Sequence, residues 1–417
     1  MASSGSDRDG AATPASGAPL HADAPGALRS GGRDWLSLAL IDARNHTLRW
    51  LAAFEAAASL HASGDGGAAP LWLAGRAGHW QEWTIARNVQ RARGEAADPA
   101  APRLASLAPQ ADAWFASGGE PPDAARIRAY LGETLELTLD ALAVAPDDDE
   151  GLVLFRLALL HEDRIGETLA ERAAALQLAD APGAAAPWRE LPTHAPREPL
   201  WMPARRWMLG SVPGGLVPEN ERWAHELAIP EFEIDALPVS WSRYVEFADD
   251  AGYDRRELWS DEGWAWLAAS GRRAPRHVEQ WCGAVIVQRR GRLERAAPAQ
   301  PALHLTRHEA EAWCRWAGRR LPTEPEWELA ACTAASRGFC WGEVHEWTAG
   351  SARPWPGHAS VATGLDPVPP AAERSGFGVL RGASWMTRLR ARHPKARRFV
   401  RPADDTAFCG FRSCALG

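Results

Sequence analysis

The sequence is short of the features that would make a first classification easy. It has six cysteines, at 282, 314, 332, 340, 409 and 414, and none forms a CxxC pair, which argues against a zinc ribbon. No run approaches the roughly 20 apolar residues that a membrane span requires. The first thirty residues lack the apolar core of a secretory signal. The net charge of -7 is mild and gives no reason to expect nucleic acid, although 388–401 is locally basic. A cytoplasmic protein with reduced thiols, no membrane association and no nucleic-acid partner is the expectation. Helical periodicity is itself scarce after residue 200, and no short-period repeat is present.

What is present divides the chain in two. A length of 417 residues exceeds one typical core. With 46% hydrophobic and 24% charged residues, the composition is that of an ordinary globular protein. Residues 1–31 are mostly Ala, Gly, Ser, Pro and Asp and are expected to form a flexible tail. Over 32–180 the apolar spacing predicts four helices and hence a bundle. They are "DWLSLALIDARNHTLRWLAAFEAAASLHA", capped by Asp34; "PLWLAGRAGHWQEWTIARNVQRARG", opened by Pro70; "DAARIRAYLGETLELTLDALAVA"; and "DDDEGLVLFRLALLHEDRIGETLAERAAALQL", with acids at its positive end. Residues 181–196 read as a Pro/Ala linker. Over 197–417 short strand-like runs ("RRWMLG", "HELAIPEFEIDALPVSW", "GVLRGASW") alternate with turns and two short helices, "SRYVEFADDAG" and "RHEAEAWCRWAG". Most of the 22 tryptophans lie there. The fold class expected is α+β.

Four stretches carry a family resemblance. "LPVSWSRYVEFADDAGY", "LTRHEAEAWCRWAGRRLPTEPEWELAA", "WGEVHEWTAG" and "VLRGASW" followed by "CGFRSC" occur in this order over 197–417. Together they resemble the formylglycine-generating-enzyme-like domain, a fold related to C-type lectins. The first half resembles the DinB-like four-helix bundle joined to that domain in ergothioneine sulfoxide synthases. "LSLALIDARNHTLRWL", "EWTIARN", "ELWSDEGWAWL" and "RHPKARRF" are most similar to the selenoneine synthase branch. The resemblance implies a mononuclear non-haem Fe(II) enzyme with O2 as co-substrate. Such an enzyme joins a sulfur or selenium donor, a cysteine-type thiol or a selenosugar, to the imidazole C2 of hercynine, the trimethylated betaine of histidine.

In that family three histidines hold the iron, one in a "GH" pair before "QEW" and two in H-x-x-x-H-x-E. Carried over, the first falls on Arg76, the second on His161 and the third on Ile165, with Glu167 trailing. One ligand of three is present. A guanidinium at Arg76 stands where a dication would sit, and Ile165 offers no lone pair. A rebuilt set of His79, His161 and Glu167 would be a two-His-one-carboxylate site that suits Fe(II); helical spacing is read as placing His161, Ile165 and Glu167 on one side. Alternatively His161 is an ordinary interhelical histidine. His46 has the same two readings, substrate contact or a bond to another helix.

For substrate, Arg87 in "IARN" matches where relatives place arginines for the donor's carboxylate. The C-terminal loop matches where they contact hercynine. There Trp385, Phe399, Asp404 and Asp405 supply the aromatic faces and acids that a quaternary ammonium favours. Arg398 stands where the family usually has Asn, and the same loop also reads as a solvated basic segment. "GRRLPTEPEWE" reads as structural, with a capped helix starting near Glu324. His345, where relatives usually have Trp, reads as a tolerated change near the surface. The copper-dependent formylglycine chemistry of relatives is not expected, because "RGASWMTRLRARH" has no cysteine shortly after "RGAS"; Cys409 and Cys414 read as small packing residues. Two functions follow: an iron- and O2-dependent synthase forming a C–Se or C–S bond on hercynine, or a paralogue that binds a small betaine or a partner without redox chemistry.

Overall fold

In the computed structural model, residues 21–63, 67–116, 118–180, 183–281, 284–360, 365 and 367–417 are described. Four long helices make the first half: α1 (Arg33–Ala56), α2 (Pro70–Gln81), α4 (Ala124–Ala143) and α5 (Asp149–Ala175), with a single-turn α3 (Ala111–Trp114). Their apolar stripes close on one another, α1 against α5 and α2 against α4. Side chains set the starts of two of them: Asp123 accepts from the Arg126 N–H and Asp148 from the Gly151 N–H. Pro70 opens α2 as expected. The residue before α1 is Gly32, and Asp34 lies inside the first turn, so the expected Asp34 cap is corrected.

In the second half, α6 (Trp241–Asp249), α7 (Asp261–Ser270), α8 (Arg307–Trp316) and α9 (Glu324–Thr333) are spread among the thirteen short strands of the described residues. Strands β1 (Leu200–Met202), β4 (Phe232–Ile234), β13 (Cys414–Ala415) and β8 (Arg319–Arg320) form one sheet in that order. A second runs β11 (Arg397–Val400), β10 (Gly378–Gly382), β9 (His345–Trp347), β12 (Cys409–Phe411). β2 (Arg205–Leu209) pairs with β3 (His225–Ile229), and β5 (Val278–Trp281), β6 (Val285–Arg289) and β7 (Arg292–Arg295) make a three-stranded meander. The architecture is α+β, as the sequence predicts.

The signature stretches are buried electrostatic joints of this half. Arg412 of "GFR" chelates Glu346 of "HEW", which also accepts from the Trp327 indole of "EPEWE". Arg381 of "VLRG" donates to Glu328, and Arg397 grips Glu324 through two nitrogens. α8 and α9 begin with reciprocal capping boxes, Thr306 with Glu309 and Thr323 with Glu326. α7 is a helix that the periodicity did not indicate. Ser260 caps it and Gly271 stops it at φ 66°, but only Gly263 and Leu267 on it are buried, too few to mark a face.

Three boundaries differ from expectation. Residues 1–20 of the expected tail lie outside the described residues. Residues 21–31 are tied down instead: Leu28 is buried, and Asp23 accepts from Arg189 and the Arg390 N–H. The linker carries Trp188, packed edge-on against Trp50 of α1 at 5.0 Å. The basic 388–401 loop is a seam rather than a solvated face, with Arg390 and Arg397 1% and 2% exposed. Among the described residues no helix is long and apolar enough to cross a membrane. Cysteines 314, 332, 340, 409 and 414 are free, with 314, 409 and 414 buried; Cys282 lies outside the described residues.

Candidate active site at the seam between the two halves

α5 is the element both halves share. Its carboxylates at 163, 167 and 171 recur every four residues, so they form one stripe along the helix. Each meets a cation or donor from the second half. Asp163 accepts two bonds from Arg390, at 2.8 and 2.6 Å. Glu167 accepts from His345 Nε2 at 3.0 Å. Glu171 accepts from both terminal nitrogens of Arg398, at 2.7 and 3.2 Å. The neighbouring Glu162 turns the other way, into the bundle, where Arg44 and Gln81 hold it.

Between this stripe and strands β9 to β11 lies a cavity of about 160 Å³, lined in part by Arg164, Glu167, Thr168, His345, Thr387 and Arg398. Glu167 is its central group. His345, Ser384 and Thr387 all donate to the same oxygen, Oε1. Oε2 accepts nothing among the described residues and is not sealed off from the cavity. Burial works against ionisation, but the His345 ring, the Arg398 guanidinium and the Ser384 hydroxyl outweigh it and hold the carboxyl well below the usual range. Burial and the Arg398 charge together push the Arg164 guanidinium down to about 10. The cleft therefore offers one ionised carboxylate oxygen beside guanidinium groups.

His345 was expected near the surface. It is 7% exposed and joins the halves. The four-residue spacing of acids on α5 is the signal that points to such a partner; the pairing itself spans 178 residues and has no local trace.

The positions that the resemblance assigns to iron ligands behave differently. The His161 ring stacks on Trp80, with centroids 4.6 Å apart and planes at 14°. Its Nδ1 is buried without a hydrogen-bond partner. Burial, with the Arg76 and Arg164 charges, lowers its pKa to about 3. Arg76 Nη1 donates to His79 Nδ1 at 2.9 Å, and His79 Nε2 pairs with Asp112 at 2.9 Å. Ile165 packs against the apolar core. Among the described residues no group of three or more His, Cys, Asp or Glu is placed to hold a metal ion. The residues do not fit iron: a guanidinium occupies the approach, one ligand is aliphatic, and a lone imidazole remains.

The rebuilt set of His79, His161 and Glu167 is likewise corrected. Six residues along a helix turn through roughly 600°, which leaves His161 and Glu167 about 120° apart. One faces α2 and the other faces the second half, while His79 is drawn to Asp112.

The expected substrate residues are scattered too. Arg87 donates to both oxygens of Asp112 and to the Leu104 carbonyl, within the first half. Trp385 is buried against Phe408, centroids 4.2 Å apart. Phe399 lies under the Arg397 guanidinium at 4.8 Å. Asp404 closes a local turn onto Thr406, and Asp405 is paired with Arg272 and Arg276. None of these five lines the 160 Å³ cleft. His46 accepts from Trp50 of its own helix at 3.1 Å and lies against Gly166, where a Cβ would come within 3.0 Å of its ring.

Residues 197–344 match the sulfatase-modifying factor enzyme 1-like domain family. Across both halves, the hercynine oxygenase of Mycolicibacterium smegmatis is 31% identical over 343 residues, covering 70% of this chain and 78% of that protein. The hercynine oxygenase of Mycolicibacterium thermoresistibile is 30% identical over 431 residues, covering 90% and 94%. The chain belongs to the hercynine oxygenase family. That is an oxidoreductase family, of the ergothioneine type. The enzyme of Mycobacterium tuberculosis, 29% identical over 69% of this chain and 77% of its own length, is a third relative. The bundle and the second half are therefore shared with proteins named for hercynine.

Proposed function

We propose that the chain binds hercynine in the cleft between α5 and the second half, and that it does so without the family's iron. The observation that carries this reading is Glu167. Its Oε1 takes three donors, and its Oε2 is left open in a cavity flanked by guanidinium groups. A betaine carries a quaternary ammonium and a carboxylate, and the cleft supplies a partner for each. A dry cavity of about 150 Å³ accommodates one benzene ring, so a 160 Å³ cleft matches an imidazole or a trimethylammonium group. Arg398 does not repel the ammonium, because Glu171 neutralises it.

A second reading is favoured by the coverage of the relatives and by "EWTIARN" and "RHPKARRF". It makes the chain a synthase that forms a C–Se bond, or a C–S bond, at the imidazole C2, with a selenosugar or a cysteine-type thiol as donor. Free thiols suit a reducing compartment, and we place the protein in the cytoplasm. Calorimetric titration with hercynine and with histidine tests the first reading. Saturable binding of hercynine that Glu167→Gln removes supports it; equal affinity for histidine, or no change in the variant, sinks it. Mass-spectrometric detection of a selenium adduct from hercynine, selenosugar, Fe(II) and O2 would establish the second.

A further inference from the structure

A larger cavity, of about 490 Å³, lies where the end of α5, the linker and the β5–β7 meander meet. Its walls include the rings of Trp188, Trp241, Trp385 and Phe408. Four arginines line it, 189, 276, 289 and 290, against two carboxylates, Asp180 and Glu190. Arg189 is held by Asp23, Arg276 by Asp405 and Arg290 by Asp180. Arg289 is different. It makes no hydrogen bond among the described residues, and its nearest carboxylate, Glu294, is 3.8 Å away. Its nitrogens are not sealed in the protein. Its side chain is 34% exposed, and burial, opposed by the Glu294 charge, lowers its pKa.

The backbone around the cavity is unusual in the same place. Six non-glycine described residues have positive φ, and four of them line this cavity: Gln177, His277, Arg290 and His304. Two have ordinary causes. Gln177 ends α5, and Arg290 with Gly291 turns the β6–β7 hairpin. His277 and His304 have none. Their rings meet edge to face at 5.1 Å, and His304 Nδ1 donates to the Asp405 carbonyl. Left-handed backbone at non-glycine residues is uncommon, though His adopts it more readily than most, and it gathers at ligand sites.

We propose that this cavity is a second binding site, separate from the Glu167 cleft, for a planar aromatic acid whose ring lies among the tryptophans and whose anionic group pairs with Arg289. Flat rings suit the aromatic walls. A carboxylate or a phosphate would complete the guanidinium. The volume is within the range of small-molecule sites.

The test uses the full chain and calorimetry. Indole-3-acetate and adenosine monophosphate serve as the carboxylate and phosphate probes, with indole-3-acetamide and adenosine as neutral counterparts. We expect one acid to bind at one site per chain, and its neutral counterpart to bind roughly tenfold more weakly or worse, the equivalent of one charge-assisted pairing. Which acid binds identifies the carboxylate or the phosphate as the source. Arg289→Gln should weaken the acid by a similar factor, and Ala186→Phe, which fills the cavity without altering its charge, should abolish binding, with near-UV circular dichroism unchanged in both. Glu167→Gln should leave this binding intact. Absence of binding by both acids, equal affinity for the neutral compounds, or indifference to Arg289→Gln and Ala186→Phe would overturn the proposal.

Discussion

His345 Nε2 lies 3.0 Å from Glu167 Oε1, so a strand of the second half and the central helix of the first share one buried hydrogen-bonded pair. Residues on both sides are about one-tenth exposed. Removing one partner of such a pair leaves a buried charge alone, at a cost of about 3 kcal/mol. His345→Ala should therefore lower the denaturation midpoint measurably. The folded-state pKa of Glu167 is depressed, so its stabilisation is present above the ordinary carboxylate pKa and is lost as pH falls below it. The gap between the native chain and Glu167→Gln should be full at pH 7 and close on acidification below roughly pH 4. A gap independent of pH would contradict the assignment.

Arg390 is 1% exposed and serves Asp163 and Asp42 together. Arg390→Met should destabilise by about 3–5 kcal/mol, because Asp163 is then buried without a counter-charge. Adding Asp163→Leu should recover part of the loss. Urea unfolding of the three variants measures the recovery, and strict additivity would show that the pair is not coupled.

Acid should weaken the fold through histidines as well. Burial, aided by nearby arginines, pushes His46 down to about 3 and His304 down to about 4. Unfolded, each takes a proton near pH 6.5. Between these values the unfolded chain binds more protons, so stability rises with pH there and is lost as pH falls. Each contributes a slope of at most about 1.4 kcal/mol per pH unit. His304→Asn, with a residue that tolerates the left-handed backbone, should flatten urea midpoints plotted between pH 4 and 6.5.

The first-half helices were legible because their apolar stripes recur at helical spacing, and the capping box at Thr323 is written within four residues. The seam was not legible. Arg398 and Glu171 lie 227 residues apart, and Arg390 and Asp163 also 227. No local pattern separates a guanidinium that will be buried against a distant acid from one in solvent, which is why 388–401 reads as a solvated loop. The site was partly legible: the flanking "QEW" and "HEDRIGE" located the positions that the resemblance assigns to metal ligands, which here are Arg76, His161 and Ile165. The Arg289 cavity had no sequence signal, since its walls come from stretches spread along the chain from Ala174 to Phe408.

Glu171 sets the charge of Arg398 in the cleft. Glu171→Gln should free that cation beside Glu167 and weaken hercynine by roughly tenfold, one ion pair's worth. Calorimetry at fixed ionic strength reads the change, and an unchanged affinity would place hercynine elsewhere.

The most direct measurement is iron content after anaerobic loading with Fe(II) and desalting, on the native chain and on the double variant Arg76→His, Ile165→His. The side chains around His161 predict that the native chain retains no stoichiometric iron, because a guanidinium and an isoleucine stand where ligands are needed. The double variant, with three histidines on facing helices, should retain close to one iron per chain. Near-stoichiometric iron on the native chain would contradict the account and make the bond-forming synthase the correct reading.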